Sequence, residues 1–472
     1  MPPQWSTFRE LLLPDVPDTP RGQRGRTLEA ALRSAIRDGR LPLSTRLPST
    51  RDLAGQLGVA RGTVTAAYAQ LVAEGFLVAK HGSGTAVACT LVTPDPRKPD
   101  PITPEQWRYD LRPGLPALGA FPRGAWQAAA KAGLAALKDE ELGYPNPAGL
   151  PSLRTELVAY LGRVRAVDAG DVLITHGVAE SLALLAQVLR EDGHREIALE
   201  DPTHPGSAEV FAAHGLRPVG VPVDDEGLRV DLLARTGCRA VLVTAAHQFP
   251  LGVVLSARRR LELLVWARDT DGLVIEDDYD AEHRYDRPAV AATQALDADR
   301  VVYIGSVSKV LAPAIRLGWL VAPPVLGERL IARKRLSDLG CSPLTQSTFA
   351  HLLSGGGYDR HLRRTRRLYR RRRDALIDAV AKELPDWRVH GVAAGLHLVL
   401  RLPDGTDDGA LSRQLAAVGV NAPPLSNYLL DRAAPFPGLV VGYAAASPDR
   451  LRAAVGEIAA VTCCKRPPGT QG

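Results

Sequence analysis

The chain has 472 residues, 45% of them hydrophobic, which exceeds one small domain and suffices for a large α/β core plus a second module. A formal charge of +6 and a pI near 9.1 permit nucleic-acid binding without demanding it. Five cysteines with no C-x-x-C spacing argue against a disulfide framework or a zinc site, so no metal is expected. The first nine residues hold no apolar leader, and no run reaches about 18 apolar residues, so the expectation is a soluble cytoplasmic protein without membrane contact.

Residues 1–25, rich in Pro, Arg and Gly, read as a lead-in. Leu28, Leu32 and Ile36 then recur at helical spacing, and Gly39 ends that helix. Ser49 opens a second helix with Asp52 in its first turn, and Gly58 makes a tight turn after it. A third helix is predicted from Arg61 to Glu74, with Val64, Tyr68, Leu71 and Val72 as its apolar stripe and Gly75 closing it. Phe76 to Lys80 and Thr85 to Ala88 read as short strands around a glycine-rich turn. Helix, helix, turn, helix, hairpin is the order of a winged helix-turn-helix, predicted over 26–88. Its third helix would enter the major groove of double-stranded DNA. Arg51, Arg61, Thr63 and Thr65 are the candidates for base or phosphate contact. Lys80, His81 and Gly82 sit where a wing tip would meet phosphates or the minor groove.

A proline-rich linker is predicted over 89–108. The body, 109–465, alternates short apolar strands, such as Glu196 to Glu200 and Val301 to Ile304, with helical patterns. That alternation implies a mostly parallel sheet covered on both faces. Arg360 to Arg373 is a very basic helical run, either a solvated helix opening a smaller α+β subdomain or a second DNA patch.

The body offers a candidate for each need of pyridoxal 5'-phosphate (PLP). The aldehyde needs a lysine to form an imine, and Lys309 supplies it within Gly305-Ser306-Val307-Ser308-Lys309. The pyridine nitrogen needs a carboxylate, for which Asp277 follows a predicted strand, and Tyr279 is a phenol for the ring oxygen. Ser306, Ser308 and Arg316 would hold the phosphate, with the backbone N–H groups of Gly177, Val178 and Ala179 at a helix start. His204 could stack on the ring. Each residue alone is weak; the combination, at strand ends, is stronger than its parts.

The stretch from Leu47 to Thr85, LPSTRDLAGQLGVARGTVTAAYAQLVAEGFLVAKHGSGT, resembles the winged helix of the GntR regulator family. GYPNPAGLPSLRTELVAYL (Gly143 to Leu161), EDDYDAEHRY (Glu276 to Tyr285) and SVSKVLAPAIRLGWLVAP (Ser306 to Pro323) are similar to fold-type I aminotransferases. With AAHQFPLG (Ala245 to Gly252), the pattern resembles the MocR subfamily of GntR regulators, with its GabR-like and PdxR-like members. The resemblance implies an α/β chain: an N-terminal winged helix-turn-helix, a linker, and a PLP-dependent aminotransferase-like domain with a mainly parallel sheet and a small C-terminal α+β subdomain. It also implies a head-to-tail homodimer that couples PLP, or an amino-acid or amine effector, to promoter binding. The chain departs from these families at four places. Ala60 stands where relatives place a capping serine, and His204 where they place a tyrosine. Phe249-Pro250-Leu251-Gly252 replaces Asn-Pro-x-Gly, leaving His247 or Gln248 to compensate. Val440 takes the place of the arginine that grips a substrate carboxylate, which argues against efficient transamination. The regulator is the leading expectation; a working aminotransferase with an accessory head and a cofactor-free dimerisation scaffold are the alternatives.

Overall fold

The computed structural model describes residues 16, 19–80, 84–88, 107–285, 290–430 and 434–463. The chain divides into two compact units, 1–105 and 106–472.

The first unit holds α1 (Arg24–Arg37), α2 (Thr50–Leu57), α3 (Arg61–Ala73), β1 (Leu77–Lys80) and β2 (Gly84–Val87). Helix α1 begins at Arg24, inside the predicted lead-in. Ser49 caps α2 by accepting from the Asp52 N–H at 3.2 Å, and Gly58 ends it at φ 63°, a left-handed conformation that suits glycine. Leu28, Leu32, Leu53, Val64, Tyr68 and Leu71 meet in one core. Val72, predicted in the apolar stripe, is 36% exposed: it lies one residue round the helix from Leu71, and Ala67 fills the buried position instead. The Tyr68 hydroxyl donates to the Pro48 carbonyl at 3.0 Å, fixing α3 against the start of α2. Strands β1 and β2 pair antiparallel, from Leu77 opposite Val87 to Lys80 opposite Gly84.

The second unit is built on an eight-stranded sheet. Its strands are β4 (Leu173–Thr175), β5 (Glu196–Asp201), β6 (Arg217–Asp224), β7 (Gly227–Leu228), β8 (Ala240–Val243), β9 (Leu273–Asp277), β10 (Val301–Ser306) and β11 (Gly318–Val321). A short strand β3 (Tyr109–Asp110) precedes them and pairs elsewhere. The order across the sheet is β4-β11-β10-β9-β8-β5-β6-β7. Strands β10, β9, β8, β5 and β6 run parallel, while β11 is antiparallel to both its neighbours, which points β4 the same way as β10. Helices pack on both faces and bury the nearly continuous apolar strands. The C-terminal ends of β4, β5, β8, β9 and β10 therefore open on one edge, where open α/β sheets bind ligands. A smaller antiparallel sheet, β12 (Arg388–His390), β13 (His397–Arg401) and β15 (Gly438–Gly442), carries the C-terminal subdomain; β14 (Val420–Asn421) pairs with β3.

Candidate functional site

Strand alternation decides which acid of Glu276-Asp277-Asp278 faces the site. Glu276 and Asp278 turn to one side and are consumed there. Glu276 accepts from the Thr293 and Gln294 N–H groups at 3.0 and 3.2 Å. Asp278 Oδ2 accepts from Arg165 Nε and from the Tyr303 hydroxyl, both at 2.6 Å. Asp277 and Tyr279 turn the other way. Asp277 Oδ1 is sealed from solvent and has no hydrogen-bond partner. Burial, and then the charge of Asp278, push its carboxyl up to about 7, against the opposing pull of Lys309.

Lys309 lies in the turn after β10, and its ammonium donates to the Gly114 carbonyl at 2.9 Å. A Cβ on Gly114, at φ 83°, would sit 3.1 Å from Lys309 Nζ, so a glycine there serves both the backbone and the lysine. Burial lowers the Lys309 pKa, offset in part by Asp277 and Asp280. A lysine eased toward its neutral form is the state that attacks a carbonyl carbon.

Tyr279 Oη is 3.0 Å from His247 Nδ1, and that nitrogen also lies 3.0 Å from Asp280 Oδ2. The pair of His247 and Asp280 is almost fully buried. An Nδ1–H directed at the carboxylate leaves Tyr279 only an acceptor role toward His247. The phenol hydrogen is thereby free for another acceptor, as a ring-oxygen donor requires. His247 thus positions Tyr279, whereas Gln248 is spent on its own loop, donating to Pro202 O at 2.8 Å and Phe249 O at 2.6 Å and accepting from Leu251 N–H at 3.0 Å.

Helix α6 (Val178–Glu191) starts straight after β4, following α4 (Arg123–Ala136) and α5 (Pro151–Arg165). Gly177 is its N-cap at φ 109°, and no side chain caps it. Its first N–H groups, those of Val178 and Ala179, have no earlier helical carbonyl to pair with. A Cβ on Gly177 would lie 3.8 Å from Arg316 Nη1, so the guanidinium reaches this helix start. A Cβ on Gly318 would lie 2.7 Å from Gly177 Cα, so only a glycine at 318 lets β11 pass this close to the helix start. The Ser308 N–H points to Ser306 Oγ at 3.4 Å. Helix dipole, N–H groups, hydroxyls and arginine together make an anion cradle.

His204 stands at the N-cap position of α7 (Pro205–Ala213) without a side-chain cap bond, its ring 5.5 Å from that of Phe249, which is 6.0 Å from Tyr279. His397, on β13, lies 5.0 Å from Phe249 and 5.3 Å from His247. One of its nitrogens meets Pro250 O at 3.1 Å, and burial lowers its pKa to about 4, so it is neutral near pH 7. Val440, on β15 opposite Val399, is fully buried with Phe249, Leu251, Leu425 and Tyr428. An apolar wall stands at the position where the resemblance places the carboxylate-gripping arginine, as Val440 in the sequence led one to expect.

Beside the cradle, His176, Glu180, Asp338 and Cys341 bring metal-ligand atom types within 4.8 Å of one another. The fully buried Lys334 already bonds Glu180 at 2.8 Å and Asp338 at 2.7 Å, supplying the cation between the two carboxylates.

In the first unit, Arg51, Arg61 and Thr65 are exposed. Arg61 Nε lies 3.4 Å from Thr50 Oγ1, and the Thr65 hydroxyl donates to the Arg61 carbonyl at 3.0 Å. Thr63 is half-buried, its methyl 3.6 Å from where a Cβ on Gly25 would stand, so the methyl lies toward α1. The Lys80 side chain, His81 and Gly82 lie outside the described residues.

The sequence offers His247 or Gln248 near the ring oxygen without choosing between them, and gives no sign of Asp280 or Gly114 as partners within the site. Asp280 sits in the same acidic motif and was legible as an acid, but its partner is 33 residues away. Gly114 lies 195 residues from Lys309, and nothing local signals it.

Residues 24–87 match the gntR family of bacterial regulatory proteins, and residues 117–458 match aminotransferase class I and II. The chain is 32% identical over 466 residues to the probable rhizopine catabolism regulatory protein MocR of Rhizobium meliloti, covering 92% of each. It is 33% identical over 442 residues to the pyridoxine biosynthesis transcriptional regulator PdxR of Corynebacterium glutamicum, covering 91% of this chain and 94% of that one. The multiple substrate aminotransferase of Thermococcus profundus superposes with a TM-score of 0.70 at 25% identity, over 76% of this chain and 92% of that one.

Proposed function

This chain belongs to the MocR group of GntR-family regulators, a GntR-type head followed by an aminotransferase class I and II body, and on that premise we propose that it is a PLP-responsive transcription regulator. The observation that carries the cofactor reading is the buried, unpartnered Asp277 Oδ1 beside Lys309. Left alone, that carboxylate is uncompensated; a protonated pyridine nitrogen would satisfy it.

The residues present fit PLP. Lys309 would take the aldehyde carbon, Asp277 the pyridine nitrogen and Tyr279 the ring oxygen. Arg316, Ser306, Ser308 and the N–H groups from Gly177 to Ala179 would take the phosphate, and His204 would stack on the ring. When bound, PLP supplies an aldehyde carbon that amines can exchange on and a ring that withdraws electrons. The chain's own groups do the rest. Burial lowers the Lys309 pKa and so eases its deprotonation, His247 and Asp280 hold the Tyr279 phenol, and the apolar wall at Val440 keeps water from that side. The same wall disfavours an α-carboxylate, so PLP itself, or an amine, is the preferred effector over an amino acid, and turnover is not the chain's role.

The regulator works in the cytoplasm as a head-to-tail homodimer on promoter DNA of PLP or amino-acid metabolism genes. The ligand acts by binding two arrangements of the dimer with different affinity. The test is borohydride reduction with PLP followed by peptide mapping, together with promoter binding measured with and without PLP. Labelling at Lys309, and a PLP effect on DNA binding that Lys309→Ala loses while still binding DNA, support the reading. Identical binding curves for both proteins in all conditions refute it.

A further inference from the structure

The helix Gly357–Glu383 carries nine arginines between Arg360 and Arg373. Numbered after α8 (Ala257–Asp269), α9 (Pro324–Asp338) and α10 (Pro343–Ser354), it is α11. Its arginines divide by position. Those facing the body bond backbone carbonyls: Arg364 to Ala120 O at 3.2 Å and Arg366 to Arg284 O at 2.7 Å, with Arg370 on Tyr285 O and Arg372 on Ala444 O. Arg363, Arg367 and Arg371, four residues apart along one outer stripe, are exposed and make no hydrogen bond or ion pair among the described residues. Among the described residues no carboxylate lies within ion-pair distance of any of the nine; Asp359, at the helix start, is taken by Arg163 at 2.9 Å.

Two adjoining surface cavities, of about 230 and 370 Å³, lie along this stripe. Apart from Tyr285, only arginines line them, and they share Arg363 and Arg367. Like charges four residues apart destabilise a helix. Here no ion pair among the described residues offsets the repulsion, and carbonyl bonds hold the inner arginines so that the outer forks are presented to solvent. Planar guanidinium forks match phosphate oxygens bidentately.

From this geometry we infer that the outer stripe of α11 is a second, sequence-independent DNA contact that grips backbone phosphates. The inference rests on the DNA-regulator reading above, and charge complementarity selects the occupant, since a chain with a GntR-type head meets a polyanionic duplex. Phosphate contacts of this kind position a protein without reading bases.

The test uses the full chain and a fluorescent 40-base-pair duplex of random sequence, titrated by anisotropy from 50 to 200 mM salt. Arg363→Gln/Arg367→Gln/Arg371→Gln is compared with wild type, with Arg51→Ala/Arg61→Ala in the head, and with the triple lysine variant. Loss of three phosphate contacts lowers the salt slope by about 2.7, so the wild-type advantage shrinks about 40-fold across that range. The lysine triple retains most of the slope, which separates charge loss from misfolding, and the head variant retains the α11 component. Equal affinity and slope for wild type and the glutamine triple overturn the inference while leaving the regulator reading intact. So does inorganic tripolyphosphate saturating the stripe with no change in duplex binding. Absence of duplex binding by wild type overturns both.

Discussion

Asp277→Asn isolates the conflict at the centre of the site. Burial, then the Asp278 charge, raises the Asp277 carboxyl from 3.8 to about 7, with Lys309 opposing. A raised acid binds its proton more tightly in the folded chain than in the unfolded one. Stability of the cofactor-free protein therefore falls as pH rises from about 4, and the loss is complete above about 7. The full rise corresponds to about 4 kcal/mol, and the partial exposure of the residue brings the working figure to about 2–4 kcal/mol. Asparagine keeps the shape and removes the charge. Urea denaturation of cofactor-free protein at pH 5 and pH 8 should show the variant more stable at pH 8 by that amount, with the gap mostly closed at pH 5. PLP should then stabilise wild type more than the variant, because only wild type gains a charge partner. A variant no more stable than wild type at pH 8, or a gap widening toward pH 5, would refute the claim that Asp277 is held uncompensated for the cofactor.

Ala60 is the N-cap of α3 and makes no side-chain cap bond, so Ala60→Ser should raise the thermal stability of the head by about 0.5–1 kcal/mol in calorimetry. Arg165 and Asp278 form a buried pair with side chains 1% and 2% exposed; Arg165→Met should cost about 3–5 kcal/mol in chemical denaturation by stranding the carboxylate. Val440→Arg places an unpaired guanidinium in an apolar cluster and should cost about 3–5 kcal/mol, with part of the loss restored by a carboxylate ligand in a thermal-shift assay if the site face is as described. An unchanged melting temperature for Val440→Arg would mean the side chain escapes to solvent, and that β15 does not wall the pocket.

The sequence by itself determined the elements and the roles that depend on local pattern. Helical spacing at Leu28, Leu32 and Ile36, the Ser49 cap and the Gly58 turn each follow from short-range geometry, and the structure realises them. The period of two at the end of β9 already separates Asp277 from Glu276, because neighbouring side chains must leave opposite faces. Composition could not decide what lies across the sheet edge. Whether Tyr279 donates depends on His247 and Asp280; how Lys309 is held depends on a carbonyl at Gly114; whether an arginine stripe is neutralised depends on acids from other elements. Val72 shows the same limit within one helix, since a residue's face is set by what the neighbouring helix presents to it. Pattern is carried by residues a few positions apart, which one strand or one turn brings together. The electrostatics of this site come from contacts between segments up to about two hundred residues apart, and only the closed sheet makes them neighbours.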